Sequence, residues 1–292
     1  MSKKIIAIRS DGRLANQMFQ LMLAFELKQL VPEAQIMGFA LPEWGLASQP
    51  LKPRTIQGNA LLLPRHRFDF HQAAKALAEG LVNSIVIEGW GMRLEYFGSP
   101  SRYQQLFQTN TDFQPLSDKQ LLINIRGEDI LTGWHPSYYP LAYPFYEQII
   151  DSTGLEPVFM GQIGPDNYSL ALKKRFRGAR FLRQGSAISD FQTIRHSKHV
   201  VLGISSFSWL ASWLSETAIN IHLPVAGLFD PRSGETDMLP VTDSRYHFYA
   251  VDFPDMQQRQ SLDLETWANS ADSNRLLAVD EINRMHQLTP GE

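Results

Sequence analysis

Three stretches place glycine, hydroxyl or charged side chains directly after short apolar runs. The first is Gly12-Arg13-Leu14-Ala15-Asn16-Gln17. A glycine turn opening a helix offers backbone N–H groups and a positive dipole end, which suit a phosphate or sugar oxygen, and Asn16 and Gln17 add hydrogen-bonding amides. A polar turn with no ligand accounts for the same residues. The second is Arg126-Gly127-Glu128-Asp129, where the guanidinium is a bidentate donor matched to a pyrophosphate. Glu128 and Asp129 would serve as general base or as partners that fix the arginine, and a solvated charged turn is the plain alternative. The third is Gly203-Ile204-Ser205-Ser206-Phe207-Ser208-Trp209, which reads as a strand followed by a serine-capped helix. Its hydroxyls and amides would meet an anion, or would only cap a helix buried through Trp209, Leu210, Trp213 and Leu214. A serine nucleophile elbow is the weaker rival enzyme reading, because Phe207 stands where that motif needs glycine.

The elements that must position these stretches alternate in type. Residues 5–8 form an apolar run ended by Ser10-Asp11-Gly12. Leu14, Met18, Leu21, Met22 and Phe25 then recur at helical spacing until Pro32. Residues 35–39 and 84–87 read as strands, with a helix over 68–79 between them. A second series opens at 121–125 and predicts helices over 138–150, 167–176, 188–197 and 207–214. Its strands are expected at 158–160, 179–182, 200–203 and 219–223. Such alternation implies parallel βαβ units. The polar stretch 108–118, with Pro115, separates the two series, so the expected domains are 1–117 and 118–292. Residues 227–243 read as a loop and 273–288 as a final helix. The fold class is therefore α/β, two Rossmann-like domains facing across a cleft, with ligands beyond the carboxyl ends of strands.

The chain has 292 residues, 43% hydrophobic and 20% charged, with a net charge of −3, as expected of a two-domain globular protein. That charge argues against a nucleic-acid partner. With no cysteine, disulfides, thiolate metal sites and cysteine nucleophiles are excluded. Four apolar residues follow Lys3 and Lys4, short of a secretory h-region, and no run approaches a membrane span. The expected location is cytoplasmic. Six cations, Lys173, Lys174, Arg175, Arg177, Arg180 and Arg183, offer a peripheral contact with anionic lipid, or simply complement a helix C-terminus.

Together the three stretches resemble the α-1,2-fucosyltransferases of glycosyltransferase family 11, within the fucosyltransferase superfamily. The family's Gly-Gly-Leu-Gly-Asn-Gln-Met-Phe-Gln stands as Gly12-Arg13-Leu14-Ala15-Asn16-Gln17-Met18-Phe19-Gln20. Its Ser-Ser-Phe-Ser-Trp-Trp-x-x-Trp-Leu is similar to Ser205-Ser206-Phe207-Ser208-Trp209-Leu210-Ala211-Ser212-Trp213-Leu214, preceded by a related stretch from Asp190 to His199. Tyr138-Tyr139 falls where the family often has a tyrosine pair. The likeness spans residue 5 to about residue 223. Departures accompany it. The family's His-x-Arg-Arg-x-Asp reads Asn124-Ile125-Arg126-Gly127-Glu128-Asp129, and its Phe-Ser-Asp-Asp reads Phe159-Met160-Gly161-Gln162.

The resemblance implies a GT-B enzyme with an N-terminal domain mainly for the acceptor and a C-terminal donor domain. It implies inverting, metal-independent transfer of L-fucose from GDP-fucose to a glycan hydroxyl, with no cofactor. The departures leave open a different nucleotide sugar or a catalytically silent binding relative. Arg126, Asp129, Glu128 and Asn16 are the expected catalytic residues. Gly12, Asn124, Asp190, Ser205, Ser206, Phe207 and Ser208 are the expected donor contacts, with Asp190 toward the base, and Trp134 and Tyr138 the expected acceptor contacts. No metal site is expected: Asp-x-Asp is absent, and His196-x-x-His199 reads as a surface pair.

Overall fold

Apolar strands buried on both faces need helices on both sides, and much of the chain supplies them by alternating strand and helix. The computed structural model describes residues 3–52, 56, 58–132, 135–270 and 274–288. Trp134 lies outside the described residues. The chain forms two compact units, each α/β around a parallel sheet: Met1–Asn110 with Ser233–Leu239, and Thr111–Arg232 with Pro240–Thr289.

The first unit runs β1 (Ile5–Ile8), α1 (Leu14–Leu30), β2 (Gln35–Met37), β3 (Ala40–Leu41), β4 (Leu46–Ala47), β5 (Ala60–Leu63), α2 (Phe70–Ala78), β6 (Ser84–Ile87) and α3 (Ser101–Gln104). Its sheet order is β2-β1-β6-β5, all parallel, with β3 and β4 a separate hairpin. The edge strand β5 had no counterpart in the sequence reading. Its Ala-Leu-Leu-Leu sequence lacks the β-branched residues of β1 and β6 and buries only Leu63, so no strand propensity marks it.

The second unit runs β7 (Gln120–Ile125), α4 (Tyr143–Thr153), β8 (Glu156–Gly161), α5 (Asn167–Arg175), β9 (Arg180–Phe181), α6 (Ala187–Arg195), β10 (His199–Val201), α7 (Ser206–Trp213), β11 (Asn220–Val225), β12 (Tyr246–Ala250), α8 (Met256–Ser261), α9 (Leu264–Ala268), β13 (Arg275–Leu276) and α10 (Val279–Gln287). Sheet order is β13-β12-β11-β10-β7-β8-β9, with β13 alone antiparallel. Counted in chain order from β7, the six parallel strands lie 3-2-1-4-5-6, the winding of dinucleotide-binding sheets. Helix α4 starts at Tyr143, later than expected at 138, because Pro140 precludes a helical start there and Pro144 fits the first turn.

The crossover from β11 to β12 passes through the segment grouped with the first unit. There Leu94 N–H donates to Asp237 O at 2.8 Å, and Asp237 N–H donates to Met92 O at 3.0 Å. Arg93 Nη1 also donates to Gly234 O at 3.0 Å. A stretch that composition marks as a loop thus has fixed backbone partners about 140 residues away along the chain.

One face of the second sheet carries a polar ladder. His199 Nδ1 meets Asn220 Nδ2 at 3.0 Å, and Asn220 Oδ1 meets His247 Nε2 at 3.0 Å. The His247 ring stacks on His222, whose Nδ1 lies 2.9 Å from the Tyr249 hydroxyl. Burial, then the neighbouring His247 and His199, push the His222 pKa down to about 3 from an ordinary 6.5. The unfolded chain therefore binds a proton that the folded chain refuses, so stability is full above pH 6.5 and falls as pH drops toward 3. By pH 4.5 the loss from His222 should be on the order of 2 kcal/mol. Denaturant midpoints across this range should fall, and His222→Phe should flatten the fall. An unchanged slope in that variant would assign it to other groups.

Candidate functional site

Neighbouring strands β7 and β10 send their following chains in opposite directions, β7 through α4 toward β8 and β10 through α7 toward β11. At such a reversal the loops part and leave a crevice at the carboxyl ends, with helix N-termini directed at it. Arg126 follows β7 there, and Gly203 to Ser206 follow β10. The two chains nearly touch. A Cβ on Gly203 would lie 2.8 Å from Asn124 O and 3.2 Å from Arg126 N, so only a residue without a side chain lets the strand ends pass.

The Arg126 side chain is 17% exposed and held from several sides. Its Nη1 donates to Gln162 Oε1, and its Nη2 donates to Asp129 Oδ2 at 2.9 Å. The Tyr138 ring centroid lies 5.9 Å from the guanidinium carbon. Gln162, at the end of β8, also accepts from Gly127 N–H at 3.3 Å, and its Nε2 donates to Glu128 Oε2 at 2.6 Å. One amide thus links the arginine to Glu128, which is exposed and has a left-handed φ of 53°. A non-glycine residue holds such a conformation only where its surroundings enforce it.

Helix α7 starts three residues after Gly203. Ser205 is its N-cap, with Oγ accepting from Phe207 N–H at 3.3 Å. Ser206 is buried in the first turn, while Phe207 is half-exposed and packs edge-on against Phe191 at 5.4 Å. Ser208 is placed differently from the expectation of a ligand contact. It is fully buried, and its Oγ donates to Ser205 O at 3.3 Å. A hydroxyl turned back onto its own helix start steadies the cap.

Helix α6 likewise begins at the carboxyl edge, after β9. Asp190 in its first turn accepts from Gly185 N–H at 3.0 Å, and burial raises its pKa against the opposing pull of that hydrogen bond. Asn124 is buried within β7, with its amide against Gly161. The histidines of His196-x-x-His199 part company. His196 Nδ1 lies 2.9 Å from Gln192 O and its ring stacks on Phe113, whereas His199 is buried in β10 and is not a surface residue. Among the described residues no group of three or more metal-ligating side chains is close enough to hold an ion.

Gly12 and Asn16 belong to the first unit. Gly12 has φ 79°, and Asn16 fills the space its side chain would take. Gln17 Nε2 donates to Gly12 O at 2.9 Å, so it closes the turn. Gln20, which sequence reasoning passed over, is fully buried. Its Nε2 donates to Arg9 O at 3.0 Å and Gly89 O at 3.3 Å, and its Oε1 accepts from Asp11 N–H at 3.2 Å. This one amide ties the ends of β1 and β6.

Arg259 of α8 was also missed. It donates to His135 O at 2.6 Å, Tyr138 O at 3.0 Å, Pro136 O at 3.0 Å and Pro254 O at 2.8 Å, between the rings of Tyr139 and Phe253. It thereby fixes the loop that brings Tyr138 to Arg126. No local signal marks such a residue, because three of its four carbonyl partners are more than 100 residues distant. The closeness of the strand ends is open to test. Gly203→Ala should lower the denaturation free energy by about 1–3 kcal/mol. Gly178→Ala, with nothing within 4 Å, should leave it nearly unchanged. Equal stability for the two variants would mean that the strand ends have slack.

No protein-family model matches the chain, and no curated protein matches it. Among solved structures, the chain is similar to a mutant of FUT1 from Arabidopsis thaliana in complex with GDP. The two share 12% identity with a TM-score of 0.41, over 76% of this chain and 70% of that one. At that distance the likeness concerns the fold and extends to no residue or ligand.

Proposed function

We propose that the chain is an inverting glycosyltransferase that binds a nucleoside diphosphate sugar at the β7–β10 crevice of the second unit. The observation that carries this reading is the close approach of Gly203, three residues before α7, to the backbone of Arg126 where the winding of the sheet reverses. A guanidinium and helix amides converging there suit a diphosphate, both bound and as it departs. The motif resemblance favours GDP-fucose as donor and a glycan hydroxyl as acceptor.

In this reading the acceptor hydroxyl attacks the anomeric carbon as the bond to the β-phosphate oxygen breaks. Negative charge grows on the diphosphate and meets Arg126, Ser205, Ser206 and the α7 amides, so no metal is required. Asp129 holds the guanidinium until the anion arrives. Glu128 is linked to the arginine through Gln162 and not by direct contact, which makes it the better placed carboxylate to accept the hydroxyl proton. Phe207 and Asp190 are assigned to the nucleotide and Tyr138 to the acceptor side. The first unit is assigned to the acceptor, with Gly12 and Asn16 at the carboxyl edge of its own sheet. Asn124 remains a buried support of the site.

A silent binding relative is the second reading, favoured by the Asp129 carboxylate that already neutralises Arg126. Nucleoside diphosphate release from a panel of nucleotide sugars separates the two. Release from GDP-fucose that depends on a glycan acceptor is the expected result, and binding of GDP without release from any donor would leave the second reading. Arg126→Ala should cut turnover by about 10²–10³. Its thermal midpoint should barely move, because a half-exposed ion pair contributes under about 1 kcal/mol. Undiminished turnover in that variant would remove Arg126 from the mechanism.

A further inference from the structure

Six of the chain's 27 lysines and arginines fall between Lys173 and Arg183, a stretch holding no acid, while all 30 acidic residues lie elsewhere. The structure sorts the side chains of this stretch into two sets. Phe176 and Phe181 turn inward onto the ring of Phe159, at 4.9 Å and 5.0 Å, and Leu182 is buried. Leu182 N–H donates to Phe159 O at 2.8 Å, and Ala179 N–H to Phe176 O at 2.8 Å. The backbone is therefore anchored, and the cations between these anchors point away from the core. Lys173, Lys174, Arg177, Arg180 and Arg183 are exposed, and none makes an ion pair among the described residues. Arg175 differs: Glu147 grips it at 2.6 Å and 2.8 Å, with Asn269 at 2.9 Å.

Helix-dipole complementarity accounts for Lys173 and Lys174 in the last turn of α5, and blunting of the edge strand β9 accounts for Arg180. Neither accounts for Arg177 and Arg183, which lie outside both elements. The outer face of α5 also shows Leu170, 52% exposed, one turn before Lys173 and Lys174. A fixed basic surface with an exposed leucine on the same helix matches an anionic bilayer, where headgroups meet the cations and the leucine enters the interface. A nucleic acid would match only the charge and would leave the exposed Leu170 in water.

We propose that the surface formed by α5 and β9 docks the protein on membranes carrying anionic lipid. Each cation near such a surface contributes about fivefold to the partition, falling off within a Debye length. Co-sedimentation with vesicles of phosphatidylcholine alone, and of phosphatidylcholine mixed with phosphatidylglycerol, tests this directly. The protein should pellet with the mixed vesicles only and be released by high salt. Neutralising Lys174, Arg177 and Arg183 together to glutamine should weaken that partition by about 10²-fold. Neutralising Lys75 and Lys119, cations elsewhere on the chain, should leave it nearly unchanged, with circular dichroism confirming that both variants fold. Equal binding to both vesicle types, unchanged binding by the triple variant, or retention by a single-stranded RNA without vesicle binding would each overturn the proposal.

Discussion

The carboxyl ends of β7 and β10 approach until the backbone of Gly203 lies against Asn124 and Arg126, and much of the second unit follows from that contact. A parallel sheet wound in one direction would cover its strand ends with successive crossovers. Reversal of the winding between these two strands leaves them bare, and the following residues become the walls of a crevice. Arg126 leaves one wall and the first turn of α7 the other. The chemistry proposed for the protein depends on this juxtaposition more than on any single side chain.

Around that contact the protein uses amides as ties. Gln162 joins Arg126, Gly127 and Glu128, and Gln20 does the equivalent for the ends of β1 and β6 in the first unit. A neutral amide can donate and accept at once without adding charge next to Arg126. Arg259 works at longer range, since a buried guanidinium can satisfy several carbonyls of an irregular loop at once. Charges at the crevice are thus held in place by groups that do not compete with them, Asp129 excepted.

The polar ladder at the other end of the second sheet has a different character. His199, Asn220 and His247 are joined by hydrogen bonds, as are His222 and Tyr249, and the stacked rings of His247 and His222 join the two groups. Burial disfavours the charged forms of His199 and His222, which ties the stability of this unit to the pH around it. The α5–β9 surface reverses that arrangement, with its aromatic side chains inside and its cations in water.

Much of the fold was legible in the sequence because parallel strands buried on both faces are apolar throughout, and the helices between them carry their own caps, as Asp166 and Ser186 do. The three polar stretches were legible for the same local reason, since each directly follows such a strand. Other features were not. Strand β5 has no β-branched residue to mark it, and α4 begins where two prolines permit. The 233–239 segment finds its backbone partners far back in the chain. The roles of Gln20, Gln162, Arg259 and the inward turn of Ser208 depend on distant neighbours. Sequence by itself determined which residues form strands, turns and caps, because those preferences act within a few bonds. Only the tertiary structure decided which strand ends lie together and which polar groups they share, because that follows from sheet order and close packing between residues remote in the chain.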